Sequence, residues 1–479
     1  MFRISYIPIK EHKQFALLLI SFVLSISLLI LRDNILFILL GWDGLGLTSY
    51  ILVIFYQNAS AASSGSITIF SNRVGDVIIL LSISILITSS TWDFSINKSF
   101  PLITLILLIL AACSKRAQFP FSAWLPAAIA APTPISALVH SSTLVTAGVF
   151  IIIRIINSPH PNSIIIILVI STITVIYARL SANWEIDIKK VIALSTLSQI
   201  AIIIFAIAIT AIPIAFFHLI IHALFKSLIF LCAGIIIHSF SYQDTRHIGT
   251  IILNYPTTIT IIGITSIALI GIPFMSGFFS KDPIIEWLIF SKPLSIIIIL
   301  IIISVGITAS YSLRIIKLSI RFYIKSNPDT KIHPNNNIEL PILIMTPLSI
   351  FSGTIISWLL IPEQLLIISA QYKFFILLIL LRGAIIGILL NYISKNYKKL
   401  GFSSLSLWHL HTLTARLTTL FNPIINILRL NDKKWQESYG PSTSYNQQIN
   451  LSPFPDKLLT STIFSIIILI FIPILIFIF

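Results

Sequence analysis

The chain is 479 residues long, 56% hydrophobic and only 10% charged, with a net charge of +15. Soluble domains carry roughly 25% charged residues, so this composition excludes a water-covered globule and places the chain in a bilayer. There an excess of Lys and Arg belongs to the loops, and no basic patch interleaved with aromatics points to nucleic acid.

Crossing a bilayer takes a run of about 20 apolar residues. Such runs lie at 14–31, 34–56, 67–88, 100–119, 134–154, 163–182, 189–209, 213–237, 256–272, 294–317, 341–361, 373–393 and 458–478. They predict an all-α polytopic membrane protein of about 13 transmembrane helices, because backbone exposed to lipid must satisfy its own hydrogen bonds. The runs do not alternate as barrel strands would. The first, Gln14–Leu31, is long for a signal peptide and is expected to stay as a helix. Cys113 and Cys232 lie in separate apolar runs and are expected to be buried thiols. Methionine is scarce at 3 while isoleucine runs abound, which suggests an AT-rich organellar gene.

Two stretches interrupt the pattern. One is "QFPFSAWLPAAIAAPTPISA", with Pro120, Pro126, Pro132 and Pro134; the other is "GIPFMSGFFSKDPIIEW", with Pro273, Gly277 and Pro283. Each proline removes a backbone donor, so both stretches predict broken helices. Interrupted helices at matching places point to two inverted five-helix repeats, over 14–154 and 163–317. Two additional helices follow in 341–393, then a lateral amphipathic segment over 395–457 and a terminal anchor at 458–478.

Ionisable residues fall inside these runs: Asp43, Arg73, Asp76, Lys115, His140, His218, His222, Lys226, Lys281, Asp282 and Glu286. A charge at the bilayer centre costs about 2.5–3.5 kcal/mol even on the lenient insertion scale. These groups are therefore expected to face one another or water inside the bundle. In "HLIIHALFKSLIF" the spacing of His218, His222 and Lys226 sets all three on one helix face. Such a stripe can hold and pass protons, since histidine accepts at one nitrogen while donating at the other. Blander readings stand beside this one. Arg73 and Asp76 are spaced for a structural ion pair, and a lone His140 in an apolar helix is as well explained by packing. HxxxH at 218–222 is half a zinc motif, but it has neither the glutamate of HExxH nor a third ligand. Lys189 and Lys190 are expected to mark a helix end on the aqueous side. "GWDGLG" is not a dinucleotide fingerprint, and with no P-loop or cysteine cluster the chain is expected to hold neither nucleotide nor redox centre.

Together "LLGWDGLGLTSYILVIFYQN", "KRAQFPFSAWLPAAIAAPTPISALVHSSTLVTAGVF", "DIKKVIALSTLSQ", "HALFKSLIFLCAG" and "GIPFMSGFFSKDPIIE" resemble the chain 5 family of mitochondrial NADH:ubiquinone oxidoreductase, respiratory complex I. These are antiporter-like subunits of its membrane arm. The resemblance runs from about Leu39 to Lys317, with "NDKKWQESYG" as the best segment of the tail. It implies a proton channel made of two inverted repeats. Asp43 would stand at the family's acidic position, where many members have Glu, and Lys115 on the first broken helix. His140, His218, His222 and Lys226 would form the relay, with Lys281 and Asp282 on the release side. Arg73, Asp76 and Glu286 would be supporting groups. A signal from the neighbouring antiporter-like subunit would act on an Asp43–Lys115 pair, and Lys115 would then pass its proton along the row. NADH, FMN, iron–sulfur clusters and ubiquinone are expected in other subunits, and the inner mitochondrial membrane as the location. A cation/proton antiporter without a redox partner is the alternative.

Two departures stand out. Family members carry about three more helices ahead of "GWDGLG", so the sequence is expected to be either abbreviated or reduced at its start. Arg116 stands where a small residue is usual, and is expected to perturb Lys115 or to extend towards water.

Overall fold

The computed structural model describes residues 12–87, 92–94, 100–155, 160–240, 242–247, 255–291, 295–319, 336–360, 370–393, 401, 403 and 422–431. Nine of the described helices are long and apolar enough to cross a membrane. Apart from isolated bridges at Asn34–Asp93 and Asp187–Asp244, the described residues form helices and their connections.

The helices run in chain order as α1 (His12–Leu31), α2 (Ile35–Val53), α3 (Ala59–Ile87), α4 (Leu102–Lys115) and α5 (Thr133–Ile155). Next come α6 (Pro161–Trp184), α7 (Ile188–Ala208), α8 (Ile212–Phe240), α9 (Pro256–Ile270), α10 (Ser276–Ser291) and α11 (Ser295–Ser319). Two further helices, α12 (Asn336–Leu360) and α13 (Ala370–Ile393), complete the first compact unit. In the second unit the described helix is α14 (Asn422–Leu430), inside the segment expected to be amphipathic. Ile424, Ile427 and Leu428 are exposed on it. The rest of 395–457, apart from 401, 403 and 431, and the anchor at 458–478 lie outside the described residues.

Boundaries agree with the hydropathy reading to within a few residues, except at α3. That helix starts at Ala59 rather than near 67 because "SAASSGS" is polar only by composition. Ser63, Ser64 and Ser66 turn their hydroxyls back onto the carbonyls of Ser60, Ala61 and Ser63 at 2.8–2.9 Å, which hides the polar atoms within the helix. The α7 helix is apolar nearly all round, as a helix surrounded by others must be, and only Lys190 is not buried.

Both expected breaks are present, and each is stitched by a side chain. After α4 the chain passes Ala117 at φ 53° and a cis Phe119–Pro120 peptide. The freed Ser114 carbonyl accepts the indole N–H of Trp124 at 2.8 Å. After α9, Gly271 takes the left-handed conformation at φ 86° that ends helices, and its N–H bonds to Ile267. The freed Leu269 carbonyl accepts from the Lys281 ammonium. Satisfying such carbonyls is what makes a broken helix tolerable at membrane depth.

Matching contacts close the two runs α1–α5 and α6–α11, the second being five elements when α9 and α10 are taken as the halves of one broken helix. Arg154, near the end of α5, donates to the Ile30 and Arg32 carbonyls at the end of α1. Arg314, in α11, donates to the Ala182 and Asn183 carbonyls at the end of α6. A cation there satisfies orphan carbonyls and opposes the negative end of the helix dipole. The bridges match as well: Asn34 and Asp187 each precede the second helix of a run, and each pairs with the segment after the third. Arg246 hydrogen-bonds Asp244 at 2.6–3.2 Å and holds its carboxyl below the usual carboxylate range.

The α11 and α13 helices meet through small residues. Gly383 and Gly387, four apart, face the backbone of Gly306 and Ser310, also four apart. A Cβ at Gly383 would lie 2.0 Å from the Gly306 carbonyl oxygen, so only glycine permits this approach.

Candidate functional site

The ionisable residues gather in three clusters. The first joins α2, α3 and α4. Trp42 is its hub: its indole N–H donates to Asp76 at 2.8 Å, and its carbonyl accepts from the Lys115 ammonium. The same ammonium sits 4.3 Å over the Trp42 ring, a cation–π contact that strengthens out of water. Arg73 bridges Asp76 at 3.2 Å and Asp43 at 3.9 Å. The structural ion pair between Arg73 and Asp76 is therefore present.

Asp43 and Lys115 interact through space, as does Asp76 with Lys115, but not by direct contact. Among the described residues Lys115 is bound to Trp42, and Asp43 faces Arg73. The reason is direction: Asp43 and Arg73 are 37% and 46% exposed on the outer face of their helices, whereas Lys115 points fully inward. Arg116 also departs from expectation. It does not extend towards water but is fully buried, with Nε on the Ala112 carbonyl at 3.2 Å. Its two terminal nitrogens have no partner among the described residues. Gly148 makes room for it, since a Cβ there would lie 2.8 Å from the Arg116 Cγ.

The second cluster is built on α8. His218, His222 and Lys226 are all fully buried on one face, as the spacing predicts. His218 and Lys226 bond to hydroxyls and not to acids, while neither ring nitrogen of His222 has a hydrogen-bond partner among the described residues. His218 Nδ1 lies 2.8 Å from the Ser280 hydroxyl, and Lys226 donates to Ser195 on α7. The two imidazoles are 6.4 Å apart, centre to centre. Ser280 precedes Lys281, so α10 brings Lys281 up to the histidine end of the row. A cavity of about 20 Å³ beside Lys281, lined also by Arg179 and Thr308, is the size of one water. Among the described residues no third His, Cys, Asp or Glu joins the histidines in a group fit for a metal ion.

The third cluster lies one turn further along α10. Glu286 pairs with Lys373 of α13 at 2.9 Å, with Asp282 four residues before it on the same helix. His140 lies on a π-helical turn, Ser136–Thr143, within α5; its side chain is outside the described ones. That turn packs against α8.

An open cavity of about 720 Å³ lies where α3 and α7 begin and α8 ends, lined by Tyr56, Asn58, Lys189, Lys190, His238 and Gln243 among others. Of the two lysines expected at an aqueous helix end, Lys190 fits, paired with Asp187 at 2.8 Å. Lys189 instead turns inward, buried, with its ammonium 3.4 Å from the Ala131 carbonyl. Both cysteines are buried free thiols, as their runs predict.

Sequence reasoning passed over Trp42, Ser195, Ser280 and Lys373. The first three are adjacent to, or within, the motifs that carried the resemblance. Nothing local to Lys373 marks it.

Residues 33–308 match the family described as "NADH:quinone oxidoreductase/Mrp antiporter, TM", and residues 311–479 match "NADH dehydrogenase subunit 5 C-terminus". NADH-ubiquinone oxidoreductase chain 5 of Lumbricus terrestris is 37% identical over 461 residues, covering 91% of this chain and 80% of its own. The chain belongs to the NADH-ubiquinone oxidoreductase chain 5 family. The Locusta migratoria member is 41% identical over 417 residues, covering 83% of this chain and 71% of its own. A solved Mrp complex from Dietzia sp. matches with a TM-score of 0.75 at 21% identity, over 86% of this chain and 49% of the other. An archaeal membrane-bound sulfane sulfur reductase matches with a TM-score of 0.66 at 22% identity, over 74% and 76%. At that identity the solved structures speak for the helical fold alone.

Within a chain 5 family member the Trp42 hub has a measurable role. Replacing Trp42 with Phe keeps a ring beneath Lys115 but removes the donor to Asp76. A hydrogen bond to a buried charged group contributes about 1.5–3 kcal/mol. The expected result is a lower melting temperature of the membrane arm and a smaller proton-to-electron ratio, read by thermal shift and by proteoliposome pumping. Unchanged values in both would show that Asp76 does not depend on the indole.

Proposed function

We propose that this chain is a proton-translocating membrane-arm subunit of respiratory complex I in the inner mitochondrial membrane. NADH oxidation, with FMN and iron–sulfur clusters, and ubiquinone reduction would occur in other subunits; this chain contributes the proton path. The observation that carries the reading is the α8 row. His218, His222 and Lys226 are fully buried, yet the bonds of His218 and Lys226 run to hydroxyls and none of the three is locked in an ion pair among the described residues. Groups kept only for structural glue would be neutralised by opposite charges, because an unpaired buried charge is costly.

The path runs through two inverted repeats, α1–α5 and α6–α11. Support comes from the paired closing contacts. The Arg154 cap and the Asn34–Asp93 bridge lie at the end of the bundle where α1 finishes; the Arg314 cap and the Asp187–Asp244 bridge lie where α6 finishes. An odd number of crossings separates these places, so the same device occurs at opposite membrane faces. Among the described residues, the face where α6 finishes carries Lys13, Lys189, Lys190, Arg246, Arg314 and Lys317, against Arg32, Arg154 and Lys373 at the other. That excess of basic residues supports reading it as the matrix face, on which the 720 Å³ cavity opens. Protons then leave on the far side through Lys281 and Asp282.

Asp43 and Arg73 expose charge midway along α2 and α3, where lipid would penalise it. That face is where the neighbouring antiporter-like subunit docks and delivers its signal. The signal reaches Lys115 through Trp42 and Asp76, replacing the direct pair that the family resemblance implies.

The test is native gel electrophoresis of mildly solubilised source membranes, stained for NADH oxidation, with peptides of this chain sought by mass spectrometry. Peptides in the large NADH-oxidising band are expected. Peptides only in a small band without that activity would favour the antiporter without a redox partner.

A further inference from the structure

Glu286 and Lys373 raise a question that the proton path leaves open. Glu286 sits on α10 four residues after Asp282, so the two carboxyls share one helix face a turn apart. If both compete for one proton, neither releases it cleanly. Glu286 is held by Lys373 at 2.9 Å, with side chains 12% and 49% exposed. Lys373 comes from α13, beyond both repeats. The small-residue contact of Gly383 and Gly387 on Gly306 and Ser310 fixes where α13 lies.

We propose that Lys373 is a positioning residue of the proton outlet: by holding Glu286 in an ion pair, it leaves Asp282 as the carboxyl that takes and releases the proton from Lys281. The proposal rests on the reading of Lys281 and Asp282 as the release side. The step balances simply. A proton leaves the Lys281 ammonium, binds a carboxylate oxygen of Asp282, and departs to water; nothing is oxidised or reduced. Among the described residues the other titratable or charged groups that act on α10 are His218, His222 and Lys226 on α8 and Arg179 on α6, and Lys373 itself acts on Asp282 as well as on Glu286. None of them is an acid, so Glu286 is the competing carboxyl that Lys373 holds.

The whole complex, purified from cells carrying each variant and reconstituted in liposomes, supplies the test. Lys373→Met is expected to cut pumping through this chain about tenfold, the scale on which a contacting charge alters a carboxyl's proton occupancy. Lys373→Arg is expected to retain it. Glu286→Gln combined with Lys373→Met removes the competitor and is expected to recover most of the pumping that Lys373→Met loses. Pumping is read per assembled complex, because a merely structural pair would change the amount of complex and not its proton-to-electron ratio. Normal pumping in Lys373→Met, or no recovery in the double variant with the complex intact, overturns the proposal. If Lys373→Met fails to assemble, the double variant, which leaves no unpaired carboxylate at 286, still decides it. Asp282→Asn separates the two levels: unaltered pumping there sinks the release-side reading itself. Lost pumping there, with Lys373→Met normal, sinks only the role of Lys373.

Discussion

Replacing Lys226 with Met should abolish pumping through this chain while the complex still assembles. The two halves of that expectation have separate grounds. Pumping fails because the row on α8 loses the amine at its inner end, and general acid–base groups typically contribute about 100-fold or more. Assembly survives because Met matches the lysine stem in length and removes a buried charge, which is often neutral or stabilising. Ser195, the bonded partner, is not orphaned: its hydroxyl also donates to the Ile192 carbonyl at 2.6 Å. The measurement is the proton-to-electron ratio of reconstituted complex, alongside the NADH-oxidising band on a native gel. A normal ratio would refute the relay role of Lys226; a missing band would show instead that the amine is needed for folding.

Replacing Gly383 with Ala should produce the largest structural effect of any single methyl group considered. The added Cβ would stand 2.0 Å from the Gly306 carbonyl oxygen, 2.6 Å from its carbon and 2.8 Å from its Cα. These are backbone atoms on a rigid helix and cannot swing aside as a flexible side chain would. Overpacking typically costs about 1–3 kcal/mol and occasionally more, and here the relief is to push α13 away from α11. The expected result is a lower melting temperature and less assembled complex. Because α13 carries Lys373, the remaining complex should also pump as poorly as Lys373→Met. Unchanged abundance and pumping would mean that the two helices do not approach as closely as Gly306 and Gly383 indicate.

Much of this architecture was legible in the residues. The long apolar runs gave the spanning helices, and the clustered prolines gave both breaks. The i, i+4, i+8 spacing of His218, His222 and Lys226 is enough to place them on one face, because a regular helix converts spacing directly into direction. Partners across helices were not legible. Nothing in the sequence marks Trp42 as the residue whose carbonyl binds Lys115 in place of the Asp43 that the family resemblance implies. Spacing on α2 cannot say which of two neighbours turns inward, since residues 42 and 43 lie 100° apart around the helix. The α3 start was misjudged for a different reason: hydropathy counts a serine as polar even when its hydroxyl is spent on its own helix. The pair Gly383 and Gly387 was a readable signal, four apart in an apolar run, and went unread. Lys373 had no such signature, because its meaning depends on a helix far away in sequence.

The bonding of the three central lysines carries one more consequence. Lys115 and Lys281 donate to backbone carbonyls and Lys226 to a hydroxyl; among the described residues none is tied to a carboxylate. A neutral amine still has two N–H groups, so each of these bonds survives when the ammonium gives up its proton. Charge can therefore travel through the protein while the scaffold's wiring stays intact. A lysine fastened to a carboxylate would behave as a latch that must be broken on every cycle. On the proposed proton path, these lysines would discharge without any bond to the scaffold being broken.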